Sequence, residues 1–259
     1  MDALVTNINM WWTLAAIVLL FIIAFELGFY IGRRRQKKIN AASKTWISTA
    51  EIAILSMLGL LLAFTFVMVQ TRFDLRQSLV IKEANAIGAT YLRASLLPEP
   101  QKSTIQNLLR QYTNQRLNFI KNNNRSLRAI TAQAGQIQKQ LWLQTLSTNI
   151  DKIQPKMFTI LVDSLNEMIS LHTDRTAALI NRVPALVLLI LLLCSILAIH
   201  VIGYNCGLRN QRNFVPAAML LLLVLVFLMI LDLDSPNQGL IKVNQQSMIM
   251  LQKNLNSVK

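Results

Sequence analysis

The sequence predicts an all-α integral membrane protein with four transmembrane helices and an extramembrane helical bundle between the second and third. Two observations lead to this fold class. Of the 259 residues, 53% are hydrophobic and only 15% are charged, whereas soluble domains carry about 25% charged residues. Four long apolar stretches are separated by two short basic loops and by one long polar region with helical periodicity.

The first apolar stretch, residues 10–32, exceeds the roughly 20 residues that a membrane crossing needs. Trp11 and Trp12 lie at one end and Tyr30 at the other, as in an interfacial aromatic belt. The basic run follows the stretch, which favours a retained signal anchor over a cleaved signal peptide. Glu26 lies inside the stretch, and pairing with the arginines at 33–35 is favoured over an ion site.

The second stretch, residues 46–70, continues into an amphipathic segment without a helix-breaking residue at the junction. We therefore expect one long helix from Ser56 to Leu97 that leaves the bilayer and joins the bundle. Its small residues fall at helical spacing on one face, which suits either close helix packing or the wall of a pore. Packing is favoured, and the pore-lining candidates are Ser56, Gly59, Ala63 and Thr65.

Residues 71–182 form the extramembrane region, with 15 Lys and Arg against 7 Asp and Glu. A Pro-Glu-Pro segment at 98–100 ends the long helix, and three more helices follow, the last beginning near Pro155. His172 continues an apolar helical face, so we expect a satisfied core residue rather than a catalytic one. The predicted domains are the first two spans with the basic loop 33–45 (1–70), the bundle (71–182), the last two spans (183–231) and a C-terminal tail (232–259).

Two acids, Asp232 and Asp234, stand directly at the exit of the fourth span. Two carboxylates alone fall short of the 6–8 oxygens that Ca²⁺ usually takes, and a helix end followed by a turn is a simpler interpretation. An ion pair with Arg72 or Arg76 is favoured, because these arginines leave the membrane on the same side.

Charge predicts the topology and limits the partners. The loops 33–45 and 205–213 carry Lys and Arg but no acid, so both should be cytoplasmic, with the bundle and C-terminus on the outer, periplasmic side of a bacterial inner membrane. The net charge of +14 is explained partly by these loops, and no nucleic-acid partner is expected. No Cys/His spacing suggests a metal site or cofactor, and Cys194 and Cys206 lie too far apart along a helix for a disulfide.

Three blocks carry a family resemblance: GLLLAFTF (59–66), RFDLRQSLVIKEANAIGATYLRASLLPEP (72–100) and DLDSPNQG (232–239). They resemble the bestrophin-like family of prokaryotic and plant membrane proteins. The resemblance implies kinship with bestrophins, which are pentameric anion channels, and hence a homo-oligomer whose long second helix lines the pathway. It also implies importance, though no defined role, for the matching positions, Arg72, Asp74, Arg76, Glu83, Asn85, Asp232, Asp234 and Gly239.

The sequence leaves three functions open. The first is an oligomeric ion channel for inorganic anions, supported by the small-residue face of the second span and by the basic extramembrane region. The alternative is a non-conducting membrane adaptor or sensor whose bundle binds a partner. An enzyme is the weakest hypothesis, because neither His172 nor His200 has a nucleophile partner in the sequence pattern.

Overall fold

The computed structural model describes residues 10–121, 127–148, 154–212, 214–235 and 239–257. Every regular element in these ranges is an α-helix. In chain order the helices are α1 Met10–Arg35, α2 Ala41–Ala94, α3 Gln101–Lys121, α4 Leu127–Leu146, α5 Pro155–Ile180, α6 Ala185–Arg209, α7 Phe214–Asp234 and α8 Gln246–Ser257. The all-α prediction is confirmed.

Four segments within these ranges are long and apolar enough to cross a membrane: Trp11–Arg35, Ala42–Ala94, Pro155–Arg209 and Pro216–Asp234. Their apolar stretches fall in α1, the first half of α2, α6 and α7. The predicted four-span membrane class is therefore confirmed. The helices extend beyond the apolar stretches: α1 continues through Arg35, and α6 continues to Arg209 before Asn210 ends it with a left-handed φ of 50°. Basic side chains in a last turn complement the negative end of the helix dipole, so they prolong both helices.

The long second helix is continuous over 54 residues, from Ala41 to Ala94. It begins earlier than the predicted Ser56 and ends three residues before Leu97, just ahead of the Pro98 and Pro100 breaker. The chain divides into two compact units, and α2 contributes to both, through Thr71 to one and from Arg72 to the other. We call them the membrane unit (residues 1–71 and 182–241) and the bundle unit (residues 72–181 and 242–259).

In the membrane unit, α1 and α6 pack at very close range through two pairs of glycines. A β-carbon on Gly28 or Gly32 would overlap the carbonyl oxygen of His200 or Tyr204. One on Gly203 or Gly207 would overlap that of Phe25 or Phe29. Gly203 and Gly207 form a small-xxx-small pattern, which favours close helix contact, and the partner glycines lie on α1. On another side of α1, Phe21 meets Phe227 of α7 edge to face, with ring centroids 5.7 Å apart.

In the bundle unit, the apolar faces of its helices enclose a common core. Apolar residues at helical spacing are buried there, among them Ile87 and Tyr91 of α2, Leu109 of α3, Leu141 of α4 and Leu165 of α5. The last helix, α8, joins the same core through Met248 and Leu255. The Asn-Asn-Asn segment at 122–124, which the sequence predicts to be a turn, lies outside the described residues.

Candidate functional site

The pore-lining candidates on α2 do not share one face in the structure. Ser56 and Ala63 are exposed, and a β-carbon on Gly59 would meet no atom within 4 Å. Thr65 is only 4% exposed, and its hydroxyl donates to the carbonyl of Leu61 at 2.8 Å. Thr65 follows Ser56 by about two and a half helical turns, so it points to the opposite side of the helix.

The exposed face around Ser56, Gly59 and Ala63 is bordered by large apolar side chains. Met57, Leu60 and Phe64 are each more than half exposed. A band of this kind is buried by lipid or by another membrane protein surface once it stands in a bilayer. Its small residues would let a second helix, or a file of ions, come close to the α2 backbone.

In the bundle unit, Arg72 and Arg76 of the family block 72–100 hold the C-terminal end of α5. Arg76 is 2% exposed, and it donates from Nε to the carbonyl of Ala178 at 3.0 Å and from Nη2 to that of Asn181 at 3.1 Å. Arg72 donates from Nη1 to Oδ1 of Asn181 at 2.6 Å. A guanidinium here satisfies carbonyls that the helix leaves free and complements its dipole.

The most concentrated polar chemistry of the bundle unit surrounds Glu83, which is fully buried. Its Oε2 accepts from Nη1 of Arg175 at 2.6 Å and from Nη2 of Arg116 at 3.0 Å. Its Oε1 accepts from the hydroxyl of Tyr112 at 2.8 Å, while Nε of Arg116 lies 2.9 Å away without hydrogen-bond alignment. One carboxylate from α2 is therefore held between two guanidiniums from α3 and α5.

An outer ring of neutral groups completes this cluster. Nδ1 of His172 lies 3.0 Å from the Tyr112 hydroxyl, and Nε2 of Gln138 donates to the same oxygen at 3.4 Å. Gln245, just before α8, accepts from Nη2 of Arg175 at 2.9 Å. His172 is thus a hydrogen-bonded core residue, as the sequence indicated. We call these seven residues the Glu83 cluster: Glu83, Tyr112, Arg116, Gln138, His172, Arg175 and Gln245.

Burial and charge set the ionisation of this cluster. Burial alone would raise the pKa of Glu83, but the guanidiniums of Arg116 and Arg175 hold that pKa below its ordinary value. Burial, followed by the nearby carboxylate, raises the pKa of Tyr112. Burial, followed by the charge of Arg116, lowers the pKa of His172 to about 4. At neutral pH the cluster therefore holds one negative and two positive charges, with Tyr112 and His172 neutral.

The acids at the end of α7 bind backbone groups of the membrane unit. Asp232, 1% exposed, accepts from the backbone N–H of Leu240 at 2.7 Å and of Ile241 at 2.8 Å. Asp234 accepts from the backbone N–H of Val183 at 3.0 Å, just before α6. Asp232 thus closes a turn, and Asp234 secures the entry to the next span, while the ion pair with Arg72 or Arg76 stays a prediction. Of the other motif positions, Asp74 and Asn85 are exposed.

Glu26 has a partner that the sequence analysis did not name. Its Oε2 lies 3.0 Å from Nη2 of Arg212, which follows α6, and that guanidinium also covers the ring of Phe29 at 4.5 Å. The expected pairing with the arginines at 33–35 is therefore wrong. The close packing of α1 on α6 brings the second basic loop, rather than the first, back along α1.

Arg116, Arg175 and Tyr112 were missed as functional residues because their polar groups sit on apolar helical faces. A signal did exist: Leu161, Leu165, Met168 and His172 form the buried stripe of α5, and the next step of three residues reaches Arg175. A charge on such a stripe needs a buried counter-ion, and the only acid on the apolar face of the family block 72–100 is Glu83. Among the described residues, no three His, Cys, Asp or Glu side chains come together as metal ligands.

The fold defines a class: an all-helical, four-span integral membrane protein with a helical bundle between its second and third spans. The family model described as the bestrophin-like domain matches residues 14–248. This chain therefore belongs to the bestrophin-like family. No curated protein matches it.

Solved structures with the same fold cover nearly the whole chain. A crystal structure of a bacterial bestrophin homologue from Klebsiella pneumoniae carrying a point mutation matches with a TM-score of 0.66 and 14% identity, over 96% of this chain and 98% of that one. Another crystal structure of a homologue from this bacterium, obtained by zinc phasing, matches with a TM-score of 0.60 and 16% identity over the same shares. A crystal structure described as a membrane protein variant matches with 0.68 and 14%, again over 96% and 98%.

Proposed function

We propose that this chain assembles as a homo-oligomer, a pentamer by analogy with bestrophins, around a pathway for small inorganic ions, with anions as the expected cargo. The exposed face of α2 at Ser56, Gly59 and Ala63 lines that pathway. The observation that carries the proposal is this open, small-residue face on a membrane span of a bestrophin-like protein. Thr65 is left out of the lining because its side chain is buried within the single chain.

Charge supports anions as the cargo. Residues 71–182 carry 15 basic and 7 acidic residues, and a positive excess at the mouth of a pathway raises the local concentration of anions. The Glu83 cluster contributes to this excess, since it buries two guanidiniums with one carboxylate. We further propose that the four predicted domains, 1–70, 71–182, 183–231 and 232–259, are the functional units of the chain. Residues 71–182 form the vestibule.

A decisive experiment is current across a planar bilayer that holds the purified protein, with chloride and potassium gradients of opposite sense. We expect discrete steps with a reversal potential near that of chloride. A reversal near that of potassium would reverse the expected selectivity. A silent bilayer with folded, oligomeric protein would favour the non-conducting adaptor, which the continuous helix from the membrane unit into the bundle unit also suits.

The lining is tested by cysteine modification in a background without Cys194 and Cys206, both of which are free. Ala63→Cys should be modified by a charged methanethiosulfonate reagent, and the current should fall. Thr65→Cys is the matched control, two residues along the same helix on its buried side, and should be unaffected. Modification of both, or of Thr65→Cys alone, would contradict the assignment.

We also propose the orientation that the short loops predict. Residues 33–45 and 205–213 face the cytoplasm, and the bundle and the C-terminus face the periplasm of a bacterial inner membrane. The support is the Lys and Arg content of the two short loops, where charge most strongly determines topology.

A further inference from the structure

A concentrated basic surface lies at the end of α1 and the start of α2, and the proposed pathway does not account for it. We call it the loop surface, and it consists of Arg33, Arg34, Arg35, Lys37, Lys38 and Lys44. All but Lys44 are exposed, and Lys44 is half-buried. Backbone bonds from Gln36 to Arg33 and from Lys38 to Arg35 turn the chain directly after α1. Six positive charges therefore lie within 12 residues of chain, from the last turn of α1, through a tight turn, to the first turn of α2.

The acids that flank this segment are engaged elsewhere. No acidic residue lies between Glu26 and Glu51. Glu26 pairs with Arg212, and Glu51 accepts a hydrogen bond from Nδ2 of Asn205. Within the described ranges, none of the six cations has a carboxylate within ion-pair distance. The membrane unit thus leaves their charge uncompensated.

Aromatic side chains place this charge at the depth of lipid headgroups. The guanidinium of Arg34 covers the ring of Tyr30 at 4.2 Å, and Tyr30 is itself 52% exposed. Trp46, two residues after Lys44, is 77% exposed, and Phe214 at the start of α7 is 82% exposed. Exposed aromatic residues at the ends of apolar spans favour the boundary between hydrocarbon and headgroups. Below them, α1 exposes Leu27 and Ile23, which suit contact with acyl chains.

We propose that the loop surface binds anionic phospholipid, with the lipid phosphate between the arginines at 33–35 and the lysines at 37–38 and the acyl chains along the exposed side of α1. The partner is a lipid rather than a soluble anion because the cations adjoin exposed apolar side chains. The acyl chains of a lipid would cover these side chains, and a soluble anion would not. The inference is independent of ion conduction, since a non-conducting protein would bind lipid in the same way.

The test is native mass spectrometry of the full chain released from micelles containing equal amounts of phosphatidylglycerol and phosphatidylcholine. We expect several phosphatidylglycerol molecules retained for each phosphatidylcholine. The triple variant Arg33→Gln, Arg34→Gln, Lys37→Gln should lose most of this preference, with an upper limit of about fivefold for each charge removed. The matched control is Lys139→Gln, Lys156→Gln, Lys253→Gln, which removes three exposed charges from the bundle unit and should keep the preference.

Two further arms keep the test decisive if the triple variant folds poorly. In the unmodified protein the preference should fall as salt is raised, because exposed charges are screened within about 10 Å at 0.1 M. Inorganic phosphate at concentrations well below that of the salt should not displace the lipid. Equal retention of both lipids by the unmodified protein, equal losses in the two triple variants, or displacement by dilute phosphate would each overturn the proposal.

Discussion

The carboxylate of Asp232 occupies the space in which a β-carbon on Gly239 would stand. The same carboxylate accepts from the backbone N–H groups of the two residues that follow Gly239, at 2.7 and 2.8 Å. Aspartate supplies two acceptor oxygens, and glycine supplies the clearance that lets the backbone approach them. This relationship gives the family block DLDSPNQG a physical basis at both of its ends.

Gly239→Ala should therefore destabilise the membrane unit. The added methyl group meets a side chain that two hydrogen bonds hold in place, so we expect a loss of about 1–3 kcal/mol. The measurement is thermal unfolding of the full chain in detergent. Gly135→Ala is the control, because a β-carbon there meets nothing within 4 Å and alanine is the better helix former. Equal unfolding temperatures for the two variants would contradict the role of Gly239.

Glu83→Gln should destabilise the bundle unit strongly. It removes the counter-ion of two arginines that are 2% and 4% exposed, and breaking a buried ion pair from one side costs about 3–5 kcal/mol. Hydrogen exchange of α3 and α5 reports the effect directly, with faster exchange expected in both helices. Glu167→Gln, an exposed acid on α5, should leave exchange unchanged. Protection that survives Glu83→Gln would show that the arginines find other partners.

Acidification should weaken the bundle unit through His172. Its folded pKa, about 4, lies below the ordinary value of about 6.5. Between these two pH values, His172 therefore binds a proton in the unfolded chain but not in the folded chain. Stability should fall as pH drops from about 6.5 to 4, by at most about 1.4 kcal/mol for each pH unit, with no further loss from His172 below that. Unfolding measured across this range should be less pH-dependent in His172→Gln.

Glu83 acts in a separate and more acidic range. Its folded pKa is lowered from 4.5, so its contribution is present above that value and is lost as pH falls through the folded pKa. Acid sensitivity above pH 5 therefore does not come from Glu83. If His172→Gln leaves that sensitivity unchanged, it belongs to a group other than His172 as well.

Gly203→Ala should disrupt the packing of α1 on α6. The new methyl group would overlap the carbonyl oxygen of Phe25, a backbone atom that cannot rotate away. We expect a loss of about 1–3 kcal/mol in thermal unfolding. Gly59→Ala, also in a membrane span but with open space at its β-carbon, should unfold at no lower temperature than the unmodified protein. A destabilised Gly59→Ala would indicate that a second copy packs closely on that face.

The proposed orientation predicts which engineered cysteines a membrane-impermeant reagent reaches in intact cells. In the cysteine-free background, Lys139→Cys on the exposed side of α4 should be labelled from outside. Lys38→Cys should be labelled only after the membrane is broken. The reverse pattern would place the bundle in the cytoplasm and show that charge on the short loops does not set this topology.

The sequence by itself determined the four spans, the continuous second helix and the buried faces of the bundle. Hydropathy and helical periodicity are local properties, so Ile87 or Leu165 could be assigned to a core without knowing what each would contact. The family blocks could also be recognised from the sequence alone. The roles of their residues could not, because a motif does not show which residues its members contact.

Only the tertiary structure decided the pairings. Glu83 meets Arg116 and Arg175 from 33 and 92 residues away, and Glu26 meets Arg212 from 186 residues away. The same packing left Ala63 open and buried Thr65. Such pairings depend on the register in which helices pack, and that register follows from all the side chains between them. The glycines that bring α1 and α6 together are one example. The spacing of apolar residues within one helix does not determine that register. The sequence therefore predicted the helices and their buried faces, and the fold determined the site.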